Sequence, residues 1–184
     1  MMAGDPHAHE LWMGEPVRPG ARAFLQVNRE AAERLHAAVV TAVSQVAGLA
    51  VVDAYCGVGV YGRALARAGA RVLGIELDPE AAAAARAGAP DGFRVLQVAV
   101  EDGLPSALPA DLLIVNPPRT GLHEAVPRAL AGAPPARIVY VSCDPATLAR
   151  DLGRLEGYRI SELRAFDLFP QTAHVETLVV LERA

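Results

Sequence analysis

Leu49-Ala50-Val51-Val52-Asp53-Ala54-Tyr55-Cys56-Gly57-Val58-Gly59-Val60-Tyr61-Gly62 is the stretch whose reading decides the fold. Its first six residues are apolar except Asp53, the composition of a strand buried on both faces. Gly57, Gly59 and Gly62 follow in G-x-G-x-x-G spacing, and Arg63 to Ala68 continue as a helix. Strand, glycine turn and helix in that order give the spacing its meaning, because the glycines let a ligand approach the backbone closely. A second apolar run, Arg71 to Ile75, ends in Glu76. That places an acid about 20 residues past the turn, where it can hold ribose hydroxyls. The plainer alternative is a tight turn beside a solvated glutamate.

Outward from this unit, strands and helices alternate. Residues 1–20, with Gly, Pro and short apolar pieces, read as an N-terminal arm, irregular or the end of a hairpin; residues 21–184 read as one domain. Asn28 is an N-cap candidate for an amphipathic helix over 29–46, ended by Gly48. Further helices are expected at 79–87, 122–131 and 146–156, with a short turn or helix over 102–108. Strands are expected at 93–98, 111–115, 138–142, 158–166 and 174–182. This alternation, closing on a strand pair, predicts a doubly wound α/β sheet with helices on both faces.

Composition narrows the class. The 184 residues suit one domain with a full core, and no continuous apolar run is long enough to span a bilayer. The polar start, with acids and histidines, is unlike a secretory signal, so a cytoplasmic location is expected. Cys56 and Cys143 are the only cysteines and show no CxxC spacing, so neither a disulfide framework nor a metal site is indicated. All 17 basic residues are Arg, yet the net charge is −4, unlike a self-sufficient nucleic-acid binder.

Two stretches carry further chemistry. Asn116-Pro117-Pro118-Arg119 falls at the C-terminal end of the fourth strand, the edge at which open α/β sheets bind ligands. Ile138 to Ser142 is a β-branched strand, and Asp144-Pro145 starts a helix, so Cys143 stands where strand gives way to helix. A thiol there meets the positive end of a helix dipole, and a lowered pKa is expected. Equally, a lone cysteine can be a small apolar residue closing a core strand. Glu176 taken alone is a strand residue facing solvent, and His174 has no second His or Cys placed with it for a metal.

Asp53, four residues before the first glycine, resembles the D-x-x-x-G-x-G signature of class I S-adenosyl-L-methionine (SAM) methyltransferases. The resemblance sharpens with five ordered motifs: Phe24-Leu25-Gln26-Val27-Asn28, Asp53 to Gly59, Asn116 to Gly121, Ile138 to Leu152, and Phe169-Pro170-Gln171-Thr172-Ala173-His174-Val175-Glu176. Together they resemble the catalytic domain of the RNA uracil-5 methyltransferase family, which modifies tRNA and 23S ribosomal RNA. The resemblance implies a Rossmann-like class I methyltransferase fold, a seven-stranded, mostly parallel sheet whose last strand is antiparallel. It implies SAM as cofactor, held by Gln26, Asp53, Tyr55, Gly57, Gly59, Glu76 and Asn116. It also implies Cys143 as nucleophile on uracil C6, Glu176 as the base that removes the C5 proton, and Arg119 and His174 on the substrate side. Asp144 stands where the family usually has Asn, and Asn116 where it usually has Asp. Val60 and Ala99 replace polar residues that are common at those positions.

Family members usually add an oligonucleotide-binding domain and a central RNA-contacting domain, and residues 1–20 look like the last hairpin of such a region. The expectation is therefore weak RNA binding by this chain alone, with RNA delivered by a separate RNA-binding subunit or a missing domain. No metal and no membrane are expected. Asn116-Pro117-Pro118 keeps a second reading open, a class I methyltransferase of other specificity acting on an amino group or a small molecule. A third is a degenerate SAM-binding domain without RNA methylation.

Overall fold

The computed structural model describes residues 10–12, 15–17, 28–43, 45–168, 170–172 and 175–184. Strands β1 (Glu10–Trp12) and β2 (Glu15–Val17) pair antiparallel as a two-stranded sheet of their own. Helix α1 (Arg29–Ala42) begins at Asn28, whose side chain accepts the Ala31 amide. Then follow β3 (Ala50–Ala54), α2 (Val60–Arg67), β4 (Arg71–Glu76), α3 (Pro79–Arg86), β5 (Phe93–Gln97), α4 (Val100–Ala107) and β6 (Leu112–Val115). The chain closes with α5 (Ala125–Gly132), β7 (Arg137–Ser142), α6 (Pro145–Leu152), β8 (Tyr158–Phe166) and β9 (Glu176–Arg183).

The main sheet has seven strands in the order β5-β4-β3-β6-β7-β9-β8. Strands β5 through β7 run parallel, and β9 is antiparallel to both β7 and β8. The predicted architecture is borne out. Order reverses between β3 and β6, and at such a switch point the strand ends leave a crevice.

Alternation along the strands divides the core into two layers. Val51, Val72, Ile114, Val139 and Leu178 pack with α1 and α2 on one face. Val52, Ile75, Leu113, Tyr140 and Val179 pack with α4, α5 and α6 on the other. Most elements sit within a few residues of expectation, and three differ for local reasons. Helix α1 stops at Ala42, before Gln45 at φ +66°. Helix α2 begins at Val60, directly after Gly59 in the left-handed region. Helix α6 ends at Leu152, capped by Gly153, and residues 153–157 are turns rather than helix.

Between α2, β4 and β5 the packing is set by one ring. A Cβ on Gly59, Gly62 or Gly74 would come within 2.7, 2.5 and 3.0 Å of Phe93. These three positions admit the aromatic ring only because they carry no side chain.

Candidate active site

The loop after β3 turns sharply, with Tyr55 at φ +60° and Gly57 at +54°. A residue with a Cβ pays for this conformation with backbone strain, about 1–3 kcal/mol, so Tyr55 is held there by its surroundings. It faces a cleft of about 890 Å³ lined also by Glu76, Leu77, Ala99, Asn116, Pro118 and His123. Burial pushes the Tyr55 hydroxyl up to about 12, against a backbone hydrogen bond at His123.

Glu76 ends β4 and organises the mouth of the cleft. Its Oε2 accepts the Gly57 amide at 2.8 Å and its Oε1 the Asp78 amide at 2.8 Å. One carboxylate thus ties the glycine turn to the start of α3, where Asp78 caps the Ala81 amide at 2.8 Å. A side chain on Gly57 would meet nothing within 4 Å, so the turn stays open to a ligand. Gly59, by contrast, is filled from behind by Phe93. Leu77 is 65% exposed at the cleft, an apolar surface left uncovered.

Asp53 lies beneath the turn, fully buried. Its Oδ2 accepts the Gly62 amide at 2.9 Å, while its Oδ1 has no partner among the described residues. Burial foremost, opposed by the Gly62 hydrogen bond and assisted by the Glu76 charge, pushes its carboxyl up to about 7.

A second group forms farther along the same edge. Ser142 pairs with Thr177 across β7 and β9. Cys143 and Glu176 are the next residues outward on each strand. Cys143 is half-buried and Glu176 is buried at 4% exposure. The two interact electrostatically, and the Arg119 guanidinium is close enough to the cysteine to favour its thiolate. Burial and the Glu176 charge push the Cys143 thiol up, and Arg119 draws it back in part. The expected lowering by the helix end is therefore overturned. Pro145, the first residue of α6, has no N–H to offer, and the Asp144 side chain takes the Thr147 amide at 2.7 Å. The charge that favours the thiolate is a side chain, Arg119, and not the helix.

Of the residues singled out from sequence, Tyr55, Glu76 and Asn116 line the cleft, Gly57 borders it through Glu76, and Gly59 and Asp53 support it from below. Arg119 falls between cleft residues Pro118 and Thr120 and acts on Cys143, whereas Cys143 and Glu176 themselves do not line the cleft. Gln26 and His174 lie outside the described residues. Among the described residues no group of three His, Cys, Asp or Glu is placed to hold a metal, and no helix is long and apolar enough to cross a membrane.

Two structural anchors were not visible beforehand. Arg63 is buried and donates to the carbonyls of Val58, Ala84, Ala85, Ala87 and Gly88, closing the end of α3 against α2. Asp151 is fully buried and accepts from the Leu122 amide and the Tyr140 hydroxyl, both at 2.8 Å. The signal for Asp151 was Tyr140 itself: a tyrosine in the middle of an apolar strand needs a partner for its hydroxyl.

Residues 106–184 match the family model described as tRNA (Uracil-5-)-methyltransferase. An uncharacterized RNA methyltransferase of Parasynechococcus marenigrum is 40% identical over 198 residues, covering 100% of this chain and 42% of its own length. One of Streptomyces coelicolor is 42% identical over 190 residues, covering 98% of this chain and 42% of its own. The chain thus spans about two-fifths of the length of these curated relatives. Among solved structures, the Pyrococcus abyssi tRNA (uracil-54, C5)-methyltransferase in complex with S-adenosyl-L-homocysteine superposes with a TM-score of 0.79 at 34% identity, covering 97% of this chain and 45% of that one. The magnesium protoporphyrin IX methyltransferase of Synechocystis shares the fold, with a TM-score of 0.67 at 18% identity over 85% of each chain. The fold is that of class I methyltransferases, and the resemblance to the RNA uracil-5 methyltransferase family is borne out.

Proposed function

We propose that this chain is the catalytic domain of a SAM-dependent RNA methyltransferase that modifies C5 of a uridine in tRNA or rRNA through a covalent Cys143–C6 bond. The observation that carries the reading is the pairing of Cys143 with buried Glu176, with the Arg119 charge acting on the same thiol, beside a cleft suited to a nucleoside.

The cleft fits SAM in its donor set. Glu76 would take ribose hydroxyls, Leu77 would offer an apolar face to the adenine, and Tyr55 and Asn116 would line the same pocket. Gly57 has open space where a side chain would project, which allows close approach to the backbone. Asp53, with one carboxylate oxygen lacking a partner among the described residues, supports the turn from below. When bound, SAM supplies an electrophilic methyl group on a sulfonium.

The chain's own residues supply the remaining chemistry. Cys143 gives its proton to solvent and bonds to uracil C6, pushing the C5–C6 π electrons towards C5 and O4. The enolate carbon C5 then takes the methyl group. Glu176 removes the C5 proton; the electrons of that C–H bond re-form the C5–C6 double bond, and the Cys143 thiolate leaves. Arg119 stabilises the thiolate on arrival and departure alike. The target uridine must be unpaired or flipped to reach the sulfur. With a net charge of −4 the chain has little to offer phosphates, so delivery of the RNA falls to a separate RNA-binding subunit or domain.

The test is to incubate the chain with SAM and RNA containing 5-fluorouridine and look for a complex on a denaturing gel. Fluorine cannot leave as F⁺, so the adduct should persist, and it should vanish in Cys143→Ala. Measurable SAM binding without adduct on any of several tRNA and rRNA fragments would overturn the uridine reading. It would favour a methyltransferase of other specificity, for which Asn116-Pro117-Pro118 is the motif.

A further inference from the structure

We infer that Asp151 is a positioning residue for Cys143: from beneath, it fixes the loop over 119–122 and through that loop keeps the Arg119 side chain near the sulfur. The inference rests on the reading of Cys143 as the attacking thiol.

Asp151 lies on α6, which leads away from Cys143, and its carboxylate is fully buried. Oδ2 accepts both the Leu122 amide and the Tyr140 hydroxyl at 2.8 Å. Oδ1 accepts from Arg150 Nε at 3.0 Å and Nη2 at 2.8 Å, and Arg154 stands 3.6 Å away. One side chain therefore joins the loop after β6, the middle of β7, and α6. The loop lies directly on it: a Cβ on Gly121, whose φ is +75°, would collide with the Asp151 carboxylate and the Thr147 methyl group. Two further bonds from α6 grip the same segment. Arg150 Nη2 donates to the Thr120 carbonyl at 2.7 Å, and Thr147 Oγ1 donates to the Arg119 carbonyl at 3.1 Å. Residues 119, 120 and 122 are thus each held by the helix that begins beside Cys143.

A buried carboxylate is a costly way to pack a helix, because an apolar side chain of similar size would serve stability as well or better. What the carboxylate adds is direction. It accepts one particular amide in a loop that would otherwise be free to shift, and with that amide it sets where Arg119 ends.

The test reads Cys143 directly. Alkylation by iodoacetamide is followed across pH, with modification at Cys143 resolved from Cys56 by peptide mass spectrometry, in the whole chain and in Asp151→Asn, Thr147→Val and Arg119→Gln. In Asp151→Asn the Cys143 rate at pH 8 should fall roughly three- to tenfold, with the profile moved to higher pH as in Arg119→Gln. Thr147→Val, which removes one tie and keeps the helix cap, should move it the same way by less. It carries the test should Asp151→Asn fail to fold. The double variant with Arg119→Gln should be no slower than Arg119→Gln alone, because both act through the guanidinium. A folded variant that melts earlier but keeps the parent alkylation profile would reduce Asp151 to packing and overturn the inference, as would additive effects in the double variant. An unreactive Cys143 in the parent chain would instead overturn the reading of it as nucleophile.

Discussion

Cys143 and Glu176 stand one residue beyond the last rung, Ser142 opposite Thr177, of an antiparallel strand pair. Strand β7 leaves the sheet at the cysteine and β9 enters it at the glutamate. Because facing residues in an antiparallel ladder point to the same side, the register of this pair brings the two side chains together. A negative charge beside a thiol that must ionise looks counterproductive for attack. In the proposed reaction it suits departure: once the carboxylate has taken the C5 proton it is neutral and no longer opposes the charge on the leaving sulfur.

Glu176→Gln should therefore separate the two halves of the proposed reaction. Removing the charge relieves the upward push on the thiol, so iodoacetamide should modify Cys143 roughly three- to tenfold faster at pH 8. Methyl transfer to RNA should stall with the protein attached to a methylated uridine, visible on a denaturing gel without fluorine in the base. Unchanged alkylation together with normal turnover would remove Glu176 from the site.

In the parent chain, Cys143 reactivity should climb with pH past the ordinary thiol range, since burial and Glu176 both favour the neutral form. A plateau already reached at pH 7 would contradict the geometry around Arg119.

Asp53 should make the chain less stable as the solution becomes more alkaline. Its carboxyl sits at about 7 when folded against an ordinary 3.8. Between those values the folded chain keeps a proton that the unfolded chain has lost, so stability falls as pH rises from about 4 to about 7. Asp53→Asn retains an oxygen for the Gly62 amide and removes the buried charge. At pH 8 it should be more stable than the parent by about 4 kcal/mol, and at pH 4 nearly equal. Urea unfolding at the two pH values measures the difference; an equal shift at both would refute it.

Arg63→Met should cost about 3 kcal/mol or more, because it leaves several carbonyls at the end of α3 without their donor inside the protein. Thermal unfolding reads this, and a loss below about 1 kcal/mol would mean that water replaces the guanidinium.

Ala99 precedes α4 with extended backbone and no side-chain cap, and it lines the cleft. Ala99→Asn should stabilise the chain by about 1 kcal/mol as an N-cap. It should also tighten SAM binding, measured by calorimetry, through a new polar contact. Stabilisation without tighter binding would place the cofactor's adenine elsewhere.

Much of this was legible in the chain. Asp53, the glycine spacing and Glu76 lie within one β-turn-α-β unit, where sequence distance translates directly into spatial distance. Cys143 and Glu176 do not, since only the insertion of β9 between β7 and β8 makes them neighbours, and no local periodicity encodes that. The resemblance supplied the pairing. The thiol's environment departs from the expectation because, at the helix start, Pro145 has no N–H and the Asp144 side chain occupies the Thr147 amide. Asp151 escaped because a lone acid in an amphipathic helix looks solvated. In fact Leu148 and Asp151 occupy the inner face, and Ala149 does not.

The Phe93 ring, seated where Gly59, Gly62 and Gly74 have no side chains, also constrains how this sequence can drift. Alanine at any of the three is barred while the ring remains. The ring cannot shrink alone without hollowing the floor of the loop that carries Gly57. Four positions from three separate elements must therefore change in concert or stay as they are, and a larger residue at one becomes tolerable only in a lineage that has already lost the aromatic at 93.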